Sequence, residues 1–222
     1  LQKGHHAETH AFSAEQIHDL FMEKIVTEFD VAICETVTRS RSLIFQNATE
    51  AMNSVMGHYH EARHAAGREG KFSMRVIDSK QIFAGQGLLA AHTLKLIGQK
   101  VSKNALRHEV ETFTDKIYTC VIPRDLHYIR ERARRRGDKS VSAVAAFLGK
   151  ALNIIPVIFG QGVEGKPVAK TRNFDMAVEK VMNYAVARVE AGLLTPYVSL
   201  SCGLSWTEIE DLPGLNRLRD AC

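Results

Sequence analysis

Hydroxyl side chains recur beside the predicted ends of strands and starts of helices: Thr9, Ser40, Ser42 and Ser79. Each alone reads as helix capping or turn chemistry. Together they fall at strand ends that could converge on one pocket. Uncharged hydroxyls and the N–H groups of helix starts suit a carboxylate or a phosphate. A second set is His60, Glu61 and His64, which satisfies the H-E-x-x-H pattern of zinc proteases. On a helix both histidines share a face, as metal ligands do, and Glu61 would be the base of a metal-dependent hydrolase. The set sits at a predicted helix end, before a loop with Gly67 and Gly70, with polar neighbours and no marked third ligand. It reads better as a surface that takes up stray nickel or zinc, with His5, His6 and His10 adding to it. A third set is Arg130, Arg132, Arg134, Arg135, Arg136 and Lys139 on one helix. It is either a solvated face with arginines near the favourable helix end, or an anion- or nucleic-acid-binding module. Glu131 and Asp138 dilute its charge and no aromatic residue interleaves for stacking, so nucleic acid is not the expected partner. A nucleophilic hydrolase is poorly supported. There is no G-x-S-x-G elbow, and nothing marks a base for Ser201-Cys202-Gly203.

The elements that must position these groups alternate. Residues 13–28 read as a helix with Ser13 as N-cap and Gln16 closing a capping box. Ile17, Leu20, Phe21 and Ile25 line its apolar face. A strand over 29–34 and a helix over 42–63 follow, then a strand over 71–77 and a helix over 85–97. The apolar run ending in Asp78-Ser79, then paired glycines at Gly85 and Gly87, is the strand–turn–helix of an α/β fold, which binds ligands at the carboxyl ends of its strands. A dinucleotide fingerprint fits weakly, because the glycines start well after the strand has ended. The second half changes character. Helices are expected over 103–113, 125–136, 140–148, 174–190 and 206–219. Strands are expected over 118–122, 153–159 and 196–201, with 168–171 as the return strand of a hairpin. The expected class is α/β in two domains. Residues 1–98 form an N-terminal parallel-sheet αβα domain. Residues 99–222 form a C-terminal α+β domain with a mixed or antiparallel sheet. The boundary falls near 98–101.

Composition narrows the class. With 222 residues, 45% hydrophobic and 24% charged, the chain can bury a core. Lys plus Arg exceeds Asp plus Glu by 29 − 25 = 4, a mild basic excess that argues only weakly for an anionic partner. Cys34, Cys120, Cys202 and Cys222 form no C-x-x-C pair, which removes a zinc ribbon or a thioredoxin-like site. Cys34 and Cys120 read as buried thiols, and the expected compartment is the reducing cytoplasm. No signal-peptide pattern opens the chain. The most apolar long stretch, 140–160, is broken by Lys150, Asn153 and Pro156, so no integral membrane segment is expected. Leu1 in place of Met, and Cys222 with no tail after its helix, point to a chain trimmed at both ends.

Six short words in order resemble the DegV family of fatty-acid-binding proteins. Residues 5–21 look like the segment Thr-Ser-Gln-Pro-Ser before a helix, with Thr9 and Ser13 as its first and last residues. Residues 37–48 are similar to Ser-Ser-x-Leu-Ser-Gly-Thr-Tyr-Gln-x-Ala. Here Ser42, Gln46 and Ala48 match, Phe45 stands for the tyrosine, and Leu43 and Ile44 replace Gly-Thr. Residues 76–89 match Val-Ile-Asp-Ser followed by Gly-x-Gly-Leu. Residues 126–134 resemble Leu-x-Tyr-Leu ending in Gly-Gly-Arg, with Arg134 kept and Arg132 and Ala133 replacing the glycines. Leu148-Gly149 with 154–156 resembles Leu-Gly-x-Leu-x-Ile-Lys-Pro, with Ile155 for the lysine. Residues 170–172 keep Lys-x-Arg. The family's opening Asp-Ser strand and closing His-Thr-Gly-Pro-Gly would lie beyond the present ends. The resemblance implies one long-chain fatty acid buried in a tunnel between the domains. Its carboxyl group would meet Thr9 and Ser42, and also Ser79. It implies no cofactor and no catalysis by the chain alone. The partner would be an ATP-dependent fatty acid kinase that forms an acyl phosphate, faced by Arg134 and Arg172.

Overall fold

The computed structural model describes residues 9–124, 154–161 and 164–222. These divide into two compact units. The first comprises residues up to 82 together with 96–114, and the second comprises 83–95 together with 115–222.

The first unit opens with α1 (Ala14–Phe21). Its capping box is the one expected: Gln16 N donates to Ser13 Oγ at 3.2 Å and Ser13 N to Gln16 Oε1 at 2.9 Å. The helix continues as one π turn (Met22–Val26), so the helical run ends two residues before the expected limit. Strand β1 (Val31–Thr36) leads into α2 (Ile44–Ala65), and β2 (Ser73–Asp78) into α3 (Ala84–Gly98), which crosses from one unit to the other; α4 (Lys103–Thr114) follows. The strands pair in parallel, Val31 opposite Ser73 and Thr36 opposite Asp78. A parallel pair needs a crossover, and α2 supplies it. Ile17 and Phe21 of α1, Ala48, Ala51, Val55 and Tyr59 of α2, and Met74 of β2 form one buried cluster with Val26 and Phe72. These α2 positions recur at three or four residues, so one helix face is covered while its other faces stay wet.

The second unit holds an antiparallel sheet of β3 (Tyr118–Val121), β4 (Ile155–Gln161) and β5 (Glu164–Thr171), in that order. The hairpin return begins four residues earlier than expected. Its register shifts between Val157 and Ile158, where Pro167 has no N–H to give the ladder and a bulge absorbs the mismatch. Next comes α5 (Phe174–Glu190), with the expected boundaries. Its Val178 and Met182 pack with Leu212, Leu215 and Leu218 into a second cluster.

Two expectations fail here. Residues 196–201 form no strand: Tyr197, Val198 and Leu200 are exposed in an irregular run. An apolar alternation alone makes no strand without a neighbour to share its ladder. The single helix over 206–219 is two, α6 (Trp206–Glu210) and α7 (Leu215–Ala221). Pro213 cannot donate an N–H, and Gly214 at φ 82° turns the chain between them. Among the described residues no helix is long and apolar enough to cross a membrane. The helices expected over 125–136 and 140–148 lie outside the described residues.

Candidate functional site

Because β1 and β2 run parallel, their carboxyl ends open side by side and bring the 36–42 loop against the 78–82 turn. Backbone bonds join the two. Ser79 N donates to Thr36 O at 3.2 Å, and Thr38 N to Gln81 O at 3.1 Å. Thr36 Oγ1 adds a long bond to Ile77 O at 3.4 Å.

Asp78 is the hub of this junction. Its carboxylate is almost wholly buried and accepts from Arg39 Nε at 2.7 Å, Arg39 N at 3.2 Å and Lys80 N at 2.9 Å. An acceptor so placed compensates the cost of burying its charge with charge-assisted bonds. The bond to Lys80 N also holds that residue at φ 54°, and Phe83 follows at φ 51°. Left-handed conformations at two non-glycine residues of one turn cost about 1–2 kcal/mol each and cluster at functional sites.

The predicted hydroxyls take distinct positions. Ser42 is half-buried two residues before α2, and its Oγ accepts from Ile44 N at 3.2 Å. No described residue accepts its hydroxyl proton. Ser40 and Thr38 pair through their hydroxyls at 3.2 Å. Ser79 is fully buried; its Oγ donates to Gln81 O at 3.3 Å and accepts from Gln81 N at 3.1 Å, which shapes the turn from within. Thr9 is exposed in the segment before α1. That segment is held to α2 by Asn47 Nδ2, which donates to Phe12 O at 2.7 Å. Ser40, Ser42 and Ser79 are therefore gathered at one end of the sheet. Arg172 is exposed between β5 and α5 in the second unit, and Arg134 lies outside the described residues with the rest of the arginine-rich helix.

The metal-hydrolase alternative finds no support. No group of three or more metal-binding side chains occurs among the described residues. His60 and His64 are exposed on α2, and the His60 ring stacks on Tyr59 with centroids 3.9 Å apart. Arg63, inside the same motif, carries structure instead: it is 1% exposed. Its Nη1 donates to Val26 O and Phe29 O, and its Nη2 to Asp30 Oδ1 and Glu69 O.

Arg39 and Asp78 were missed as site residues. Asp78 stood in plain view as the end of an apolar strand, but its partner lies 39 positions away. An arginine inside a hydroxyl-rich loop was the available signal.

Comparison with known proteins shows the family and the fold. The family described as "Uncharacterised protein, DegV family" matches residues 1–213. A DegV domain-containing protein of Xanthomonas campestris pv. campestris is 40% identical over 221 residues, covering 100% of this chain and 70% of the relative. A stearic-acid-binding protein of Eubacterium ventriosum has a similar structure, with TM-score 0.66, 20% identity, and coverage of 82% of this chain and 56% of that one. DegV of Bacillus subtilis, a fatty acid binding protein, gives TM-score 0.59 at 18% identity, over 81% of this chain and 57% of that one. The chain thus spans little more than half the length of these two solved proteins.

Proposed function

The chain belongs to the DegV family, and from that premise we propose that it binds a long-chain fatty acid with the carboxyl group at the carboxyl ends of β1 and β2. Ser42 is the observation that carries this reading. Its Oγ accepts from Ile44 N and keeps its own proton to donate to a ligand oxygen. The first turn of α2 stands beside it, and the N-cap residue Leu43 offers no capping side chain, so the backbone N–H groups that follow Ile44 complement a negative head group. Thr9 supplies a second hydroxyl to the carboxyl group, and Ser79 holds the turn beneath it. The solved relatives that bind stearic acid or fatty acid support the choice of ligand.

Chemistry favours a lipid over a small anion at such a site. A buried methylene contributes about 0.8 kcal/mol, so a chain of roughly sixteen carbons offers on the order of 10 kcal/mol gross. The hydroxyl and N–H groups would then spare the head group the cost of burial without partners. The binding protein itself makes no covalent change. A separate ATP-dependent kinase would phosphorylate the presented carboxyl group, and Arg172 and Arg134 are the candidates for meeting that partner or its phosphate. The setting proposed is the cytoplasm.

The test is acyl occupancy in Ser42→Ala and Thr9→Ala, measured by solvent extraction and mass spectrometry. Both variants should retain less fatty acid than the parent protein. Undiminished occupancy in both would remove the site assignment, and kinase-dependent acyl-phosphate formation from loaded protein would test the partner.

A further inference from the structure

We infer that Arg39 reads the charge of the ligand's head group, so that the site selects a long-chain carboxylate over a neutral amphiphile of equal length. This rests on the fatty-acid reading above and adds a specificity determinant to it.

Arg39 lies three residues before Ser42 in the loop that the parallel strands bring to the site. It is anchored without being consumed. Its backbone N and its Nε both bond to Asp78. Its guanidinium lies over the Phe45 ring, 5.2 Å from the centroid, in the first turn of α2. The two Nη groups donate to no described residue, and the side chain is 64% exposed. A guanidinium presents its donors as a planar fork that matches a carboxylate. Here one edge of that fork is fixed by Asp78 and the aromatic ring fixes its plane. The remaining Nη donors face outward from a rigid mount, so little side-chain entropy is lost when an anion arrives.

The donor count leaves the guanidinium with hydrogen bonds to give to a second anion. Asp78 is also bonded by the backbone N–H groups of Arg39 and Lys80. Those N–H groups satisfy acceptor sites on the carboxylate, so it does not call on every donor of the guanidinium. A hydroxyl such as Ser42 serves acids and alcohols alike, since it can donate to either. Only a fixed cation separates them strongly.

The test is a binding comparison between a saturated fatty acid and the fatty alcohol of the same chain length, at pH 8 and low salt. It uses the parent protein, Arg39→Met, which keeps the stem without the charge, and Arg39→Lys, which keeps the charge without the fork. Thermal unfolding of each variant confirms that it is folded. Arg39→Met should weaken the acid about tenfold and the alcohol less than about twofold, with Arg39→Lys between. The parent's affinity for the acid should fall with salt more steeply than that of Arg39→Met. An equal loss for acid and alcohol would reduce Arg39 to a scaffold of the loop and overturn the inference. So would an unchanged affinity for the acid, and either result would leave fatty-acid binding intact. A parent protein that binds neither ligand would overturn the fatty-acid reading and this inference with it.

Discussion

Arg63 shows how far a single residue can diverge from its motif. Its four guanidinium bonds reach three backbone carbonyls and Asp30 from a site closed to water. Truncating it strands those acceptors, so Arg63→Ala should destabilise the first unit by about 3 kcal/mol in denaturant unfolding. His60→Ala, on the exposed side of the motif, should change stability by less than about 0.5 kcal/mol. Asp30 completes the network. Hydrogen bonds from Arg63, then Arg68, hold its carboxyl below the usual range. A depressed folded value stabilises the fold above the unfolded titration, near about 4, and that stabilisation is lost as pH falls through the folded value. The Tm gap between the parent and Asp30→Asn should thus be widest at neutral pH and close below about pH 4. The cysteines separate in a similar way. Burial pushes the Cys34 and Cys120 thiols up, whereas Cys202 and Cys222 are exposed. Iodoacetamide at pH 8 should label the latter pair in the native protein, and all four only after denaturation. Sequence patterns found the hydroxyls because turn and cap positions follow local rules. They could not find Arg39 on Asp78 or Arg63 on Asp30, since each pair spans more than thirty positions.

At the scale of elements, local signals set what could be foreseen. The Ser13 capping box and the whole span of α5 followed from caps and apolar spacing. The irregular run at 196–201 did not, because strand formation depends on a neighbour that no local pattern encodes. The break between α6 and α7 was written in Pro213-Gly214 and outweighed the apolar period that continues on either side. Gly214 makes that break sensitive. It sits at φ 82°, and a Cβ there would come 2.9 Å from Met182 Cβ in α5. Gly214→Ala combines a left-handed penalty with overpacking against a helix. It should lower stability by about 1–3 kcal/mol, measured by thermal or denaturant unfolding. Arg217→Ala, whose guanidinium pairs with Glu179 at 3.3 Å on the exposed surface, should cost less than about 1 kcal/mol by the same measurement.

For the whole molecule, the pattern of elements was enough to expect a parallel sheet followed by a mixed or antiparallel one; the first is parallel and the second antiparallel. The proposed carboxyl site uses the alignment of two loops that the parallel pair sets. The chain accounts for 70% of its Xanthomonas relative, so the activity of the whole protein is best tested on the natural protein itself. The most direct measurement is organic extraction of that protein, purified without denaturation, followed by quantitative mass spectrometry of the extract. The account predicts one equivalent of a long-chain fatty acid, reduced when Ser42 is replaced by alanine. A protein that carries no acyl chain, and takes up none when long-chain fatty acid is supplied, would contradict it.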